Sequence, residues 1–132
     1  MIEKLQKLLN NSYSPYYNFP VSCILITNDD NTFHGVNVET SSPNAGICAE
    51  RNAIYSAITK GYKKGDFKEL HIMNKTNDFV YPCFICRQTI IDLCPNIKIY
   101  VYNYKGDIKE VSLEELCPYP FSKENLKWKV VL

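Results

Sequence analysis

Apolar residues recur at helical spacing near the start of the chain, at Ile2, Leu5, Leu8 and Leu9, and the pattern stops at Asn10 and Asn11. This predicts a short helix ahead of the loop Ser14-Pro15-Tyr16-Tyr17-Asn18. Over residues 19–27 the side chains are apolar on both strand faces, the mark of a central strand. Asp29-Asp30-Asn31 then turns the chain into an antiparallel partner over residues 32–38. A polar loop over 40–46 leads into a helix predicted for 47–61, with Ala49, Ala53 and Ala57 as a small-residue stripe and Gly61 as the stop. Residues 67–73 read as a third strand. Beyond the loop at Thr76-Asn77-Asp78, Pro82 suits the start of a helix running to Cys94-Pro95. Two further strands are predicted at 97–102 and 108–111, joined near Lys105-Gly106-Asp107, and Ser112-Leu113-Glu114-Glu115 opens a short helix with a capping box. Helices and strands alternate, so the expected fold is α/β: three layers, α-β-α, around a mixed five-stranded sheet.

Size and charge narrow the function. At 132 residues the chain is expected to form one domain, residues 1–132. Lysine plus arginine number 15 against 14 acids, and no basic stripe forms, so a nucleic-acid partner is disfavoured. Charges begin at Glu3 and no long apolar run follows, which argues against a secretory or membrane segment and for the cytoplasm. The six cysteines fit reduced thiols, some on a metal, better than a disulfide framework. Residues 118–132 carry Phe121, Trp128, Val130 and Val131, and are expected to pack on another surface such as a neighbouring subunit.

The chemistry lies in Cys48-Ala49-Glu50-Arg51 and Pro82-Cys83-Phe84-Ile85-Cys86-Arg87-Gln88. Catalytic zinc takes three protein ligands and keeps a fourth position for water. Cys48, Cys83 and Cys86 can supply the three. Cys83 and Cys86, three apart on a helix's first turn, face one point, and two helix N-termini would favour their thiolate forms. Glu50 falls on a helix face with Ile54, Ala57 and Ile58, so a carboxylate is placed toward the core, where burial raises its pKa into the range of a proton shuttle. Taken alone, a core glutamate paired with an arginine fits equally well. Three thiolates on Zn²⁺ leave a net negative charge, which Arg51 can offset by donating hydrogen bonds to the sulfurs.

These residues resemble the small, tetrameric zinc-dependent cytidine deaminases, a subset of the zinc deaminases with a His or Cys ligand, a non-ligand Glu and P-C-x-x-C. The similarity extends through Ser14-Pro15-Tyr16, Asn18-Phe19-Pro20-Val21, residues 35–39, residues 46–51 and the paired cysteines, to Leu116, Pro118 and Phe121. It implies a cytidine-deaminase-like fold and hydrolytic deamination of cytidine and 2′-deoxycytidine in pyrimidine salvage. Hydroxide formed on zinc would add at C4 while Glu50 moves the protons. It also implies that Phe19 stacks on the base and that Asn37 and Glu39 hold the ribose. The backbone at Ala49 would bind the base's polar edge. Phe121 would reach the site of a neighbour in a homotetramer with shared active sites. Glu39 independently favours a free nucleoside, since a carboxylate accepts from hydroxyls and repels phosphate. Phe84, Ile85, Ser22, Cys23, Thr40 and Pro43 depart from the family's usual residues.

Other readings stay open on sequence alone. A deaminase of a cytosine nucleoside antibiotic such as blasticidin S shares the ligands and the glutamate. A structural zinc module would close its coordination with Cys94, Cys117 or His71. Cys23, Cys94 and Cys117 otherwise read as bystanders, and His34 and His71 lack metal-ligand spacing to the cysteines.

Overall fold

The structure is a computed structural model that describes residues 1–127, so the expected packing of Trp128, Val130 and Val131 lies outside the described residues. In chain order the elements are α1 (Ile2–Leu9), β1 (Val21–Thr27), β2 (Thr32–Val36), α2 (Ala49–Thr59) and β3 (Phe67–Asn74). They continue with α3 (Phe84–Leu93), β4 (Lys98–Tyr102), β5 (Ile108–Val111) and α4 (Leu113–Leu116), and 3₁₀ turns lie at Pro43–Ala45 and Lys123–Leu126. The strands form one sheet in the order β2-β1-β3-β4-β5. β1 is antiparallel to β2 and β3, β5 is antiparallel to β4, and β3 and β4 are parallel. A parallel pair needs a crossover, and α3 provides it.

β1 is buried on both faces, as its sequence predicts. Cys23 and Leu25 join Leu70, Ile72, Ile99 and Val101 under α2 and α3, while Ile24 joins Met73 and Tyr102 under Leu5 and Leu9 of α1. The sheet is therefore the middle of three layers. α1 is fixed to it by packing and by Ser22 Oγ, which donates to Leu5 O at 2.9 Å. The small-residue stripe has a steric reason: a Cβ at Gly35 of β2 would lie 2.2 Å from Ala49 O and 2.7 Å from Ala53 N. α2 thus rides almost on the backbone of β2, and only alanines fit along that line.

Several boundaries differ from the sequence pattern. Both long helices begin later than predicted, at Ala49 and Phe84, because Ile47 is held in an extended bridge to Val38 and because Cys48 and Cys83 adopt extended N-cap conformations. Pro82 therefore stands outside α3. β1 starts at Val21, since Asn18 takes a left-handed conformation (φ 50°) that breaks the strand before Phe19. β2 ends at Val36, and Asn37 to Glu39 continue as extended chain, bonded to Tyr13 and Ile47. Ile58 does not share the inward face of α2; it is exposed, and the buried side is formed by Ala49, Glu50, Ala53, Ile54 and Ala57. Gly61 (φ 110°) follows the last turn of α2 as its left-handed stop, and Ser112 and Glu115 form the predicted capping box. No helix among the described residues is long and apolar enough to cross a membrane.

Candidate active site and metal centre

Two helix starts meet beside the end of β3. Cys48 caps α2 and Cys83 caps α3, so both N-termini turn unpaired N–H groups and positive dipole ends toward the same place. The sulfurs of Cys48, Cys83 and Cys86 all lie within 4.8 Å of one another. Cys48 Sγ and Cys83 Sγ are 3.7 Å apart, matching the edge of a zinc–thiolate tetrahedron, about 3.8 Å for bonds of about 2.3 Å. The donor set therefore fits zinc. Cys94 caps the far end of α3, Cys117 follows α4, and His71 lies on the opposite face of the sheet, so the structure brings none of them into the thiol cluster.

Electrostatics agree with the geometry. The Cys48 thiol is held well below the usual thiol range by a hydrogen bond from Cys86 and by Arg51, whose Nη2 donates to Cys48 Sγ at 3.5 Å. Cys86 N donates to Cys83 Sγ at 3.5 Å, so a backbone amide supports a second sulfur. Glu50, 4% exposed at the second position of α2, is pushed up to about 7 by burial. A carboxyl in that range can both take and give a proton near neutral pH.

A cavity of ≈ 590 Å³ opens beside the sulfurs. Its wall includes Cys48, Cys83, Ala49 and Glu50, and also Asn37, Glu39, Phe19 and Tyr17. Asn37 is largely committed to the fold. Its Oδ1 accepts from Val21 N at 2.8 Å and from Ser12 Oγ, and its Nδ2 donates to Phe19 O at 2.8 Å. One N–H remains for another partner. Glu39 Oε1 accepts from Tyr16 N at 2.9 Å and Tyr17 N at 3.2 Å, which fixes the carboxylate.

Phe121 stays outside this cavity; it is 56% exposed, and its carbonyl accepts from Gln88 Nε2 of α3. The departures from the family pattern stay out as well. Phe84 and Ile85 project outward, 72% and 63% exposed, Ser22 and Cys23 are in the core, and Thr40 and Pro43 line an adjoining hollow that shares Tyr17, Asn37, Glu39 and Cys48 with the cavity. Sequence reasoning passed over Ile72, Asn74, Val80 and Tyr81, which complete the wall. The alternation of β3, which sends Ile72 and Asn74 to the side of α2, was the available signal. Tyr81, adjacent to Pro82, carried none.

A sulfur-built metal site beside a buried, proton-carrying acid, set in a three-layer α/β fold, defines a metal-dependent hydrolytic enzyme. Comparison with known proteins agrees. Residues 1–103 match the family described as the cytidine and deoxycytidylate deaminase zinc-binding region. A cytidine deaminase of Sporosarcina psychrophila is 37% identical over 97% of this chain and 93% of its own length. The crystal structure of cytidine deaminase from Burkholderia pseudomallei superposes with a TM-score of 0.85 at 38% identity, covering 91% of this chain and 95% of that one. A blasticidin-S deaminase of Bacillus cereus is more remote, 25% identical over 78% of this chain and 77% of its own. The chain belongs to the zinc-binding cytidine and deoxycytidylate deaminase family, and zinc is its metal.

Proposed function

We propose that this enzyme deaminates cytidine and 2′-deoxycytidine to the uridine nucleosides and ammonia, in pyrimidine salvage. The carrying observation is Glu50, buried at the wall of a nucleoside-sized cavity beside three converging sulfurs. Cys48, Cys83 and Cys86 hold zinc, which when bound supplies the Lewis acidity that makes water a nucleophile at neutral pH.

The remaining work belongs to the chain. The Ala49 N–H, left free in the first turn of α2, donates to the polar edge of the base. Phe19 stacks on the ring face. Glu50 takes one proton of the attacking water to N3, then carries the second, from the hydroxyl now on C4, to the amine, which leaves as the C4=O bond forms. Arg51 balances the negative charge of the sulfurs by its hydrogen bond to Cys48. Asn37 and Glu39 hold the sugar, one donating and the other accepting. Zinc-loaded protein is expected to convert cytidine and deoxycytidine, followed by loss of cytidine absorbance. Rapid turnover of blasticidin S with cytidine left intact would overturn the assignment.

Assembly and location are parts of the same reading. Tyr55, Ile58, Phe84 and Ile85 expose apolar surface on α2 and α3, and Phe121 and Leu126 add to it. Such surface supports a homotetramer in which Phe121 reaches a neighbour's cavity. Sedimentation should give the mass of four chains. A monomer that turns over cytidine at full rate would remove the shared site. The free thiols and thiol-held metal suit the reducing cytoplasm.

A further inference from the structure

Tyr81 stands between two hollows. It lines the ≈ 590 Å³ cavity together with Pro82 and Cys83, and also a hollow of ≈ 210 Å³ formed with Arg87, Lys109 and Glu115. Its backbone is anchored. Arg87 Nε donates to Pro82 O at 2.7 Å and Arg87 Nη1 to Leu116 O at 2.6 Å, tying the chain ahead of Cys83 to α4. The ring is anchored differently. Lys109 of β5 donates from Nζ to Tyr81 OH at 2.8 Å, and the ammonium lies 5.3 Å from the ring centroid. Tyr81 is therefore a partition with a fixed base and a single tether at its tip among the described residues.

The proposed reaction gives that partition a role, and the inference rests on that reading. With the sugar at Asn37 and Glu39 and the reacting carbon at the sulfurs, the exocyclic amine is the substituent directed away from the sugar. Tyr81 lines the same cavity and directly precedes Pro82 and Cys83, on the side of the sulfurs. We infer that the Tyr81 ring, tethered by Lys109, is the specificity-determining wall that limits the size of the leaving amine. The chemistry balances for a larger amine as for ammonia. Water oxygen bonds to C4, the C4–N bond breaks, and the amine departs with the proton delivered by Glu50, as ammonia from cytidine or methylamine from N4-methylcytidine. What changes is the room for the methyl group. A hydrophobic wall discriminates about 10–200-fold per methylene-sized group, and removing the ring takes away a side chain that lines both hollows.

The test compares kcat/KM for N4-methylcytidine and cytidine in zinc-loaded wild type, Tyr81→Ala, Tyr81→Phe and Lys109→Met, with the released amine identified by mass spectrometry. Tyr81→Ala is expected to raise the ratio about tenfold or more. Tyr81→Phe and Lys109→Met keep a ring but cut its tether, and are expected to raise the ratio by a smaller factor. Should Tyr81→Ala fail to fold, these two decide. An unchanged ratio in the variants that fold overturns the inference, even though cytidine is still consumed. Wild type that leaves cytidine intact overturns the proposed function and this inference with it.

Discussion

The two faces of the sheet each bury a titratable side chain, and they treat it in opposite ways. Under α1, His71 has a partner for each ring nitrogen: Nδ1 lies 2.7 Å from Tyr102 OH and Nε2 lies 2.9 Å from Glu69 Oε1. Its ring also stacks on Tyr100 at 4.8 Å. Burial lowers its pKa, against the pull of Glu69, and favours the neutral ring, in which Nε2–H donates to Glu69 and Tyr102 donates to Nδ1. Under α2 and α3, Glu50 is as deeply buried but faces thiols and an open cavity, and burial moves its pKa up toward neutrality. A buried polar group whose bonds are all made within the fold is structural. One whose neighbours are a metal site and a hollow is ready for a reaction.

Substitutions should separate these roles, beginning with the most severe. Cys83→Ala is expected to lose zinc and with it all deamination, read by metal analysis alongside turnover. Glu50→Gln should keep its zinc and lose kcat by about 10²–10⁴-fold; near-normal turnover would remove the acid from the mechanism. Gly35→Ala forces a methyl group into the first turn of α2, so a stability loss of about 3 kcal/mol by denaturant unfolding, together with weaker activity, is expected. His71→Leu leaves Glu69 and Tyr102 without their shared partner. A loss of about 1–2 kcal/mol with kcat unchanged would mark the α1 face as structural, whereas a fall in kcat would break the contrast.

The gentlest probe is pH. Because the folded pKa of His71 lies below its ordinary 6.5, the unfolded chain binds the extra proton between those two values. This group's contribution to stability is complete above 6.5 and is lost as pH falls toward the folded value. Urea unfolding followed from pH 7.5 downward should show the decline in wild type and a smaller one in His71→Leu.

Local patterns made much of this legible. The double-faced apolar run of β1, the alanine stripe of α2 and the capping box of α4 are each written in consecutive residues, and each is present in the structure. The convergence of Cys48 with the Cys83 pair was inferred from spacing and family likeness, and the fold brings their sulfurs together. What escaped depends on distant partners. The late starts of α2 and α3 follow from Val38 holding Ile47 and from the extended backbones at Cys48 and Cys83, which periodicity cannot register. Ile58 has the right spacing for the core yet lies beyond the reach of the sheet. The tether on Tyr81 comes from Lys109, 28 residues later, which no local pattern announces.

The bonds Asn37 already makes limit what its part of the cavity can recognise. Val21 N and Ser12 Oγ occupy its oxygen and Phe19 O takes one of its protons, so toward the cavity this amide only gives, while Glu39 only receives. A hydroxyl set between them satisfies both at once, since it alone carries a lone pair for one neighbour and a proton for the other. Fluorine in that position answers the first and repels the second, and a bare hydrogen answers neither. If the sugar lies there as proposed, the pair reads the direction in which a proton is shared, and replacing the hydroxyl between them by fluorine is expected to weaken binding on polarity rather than on size.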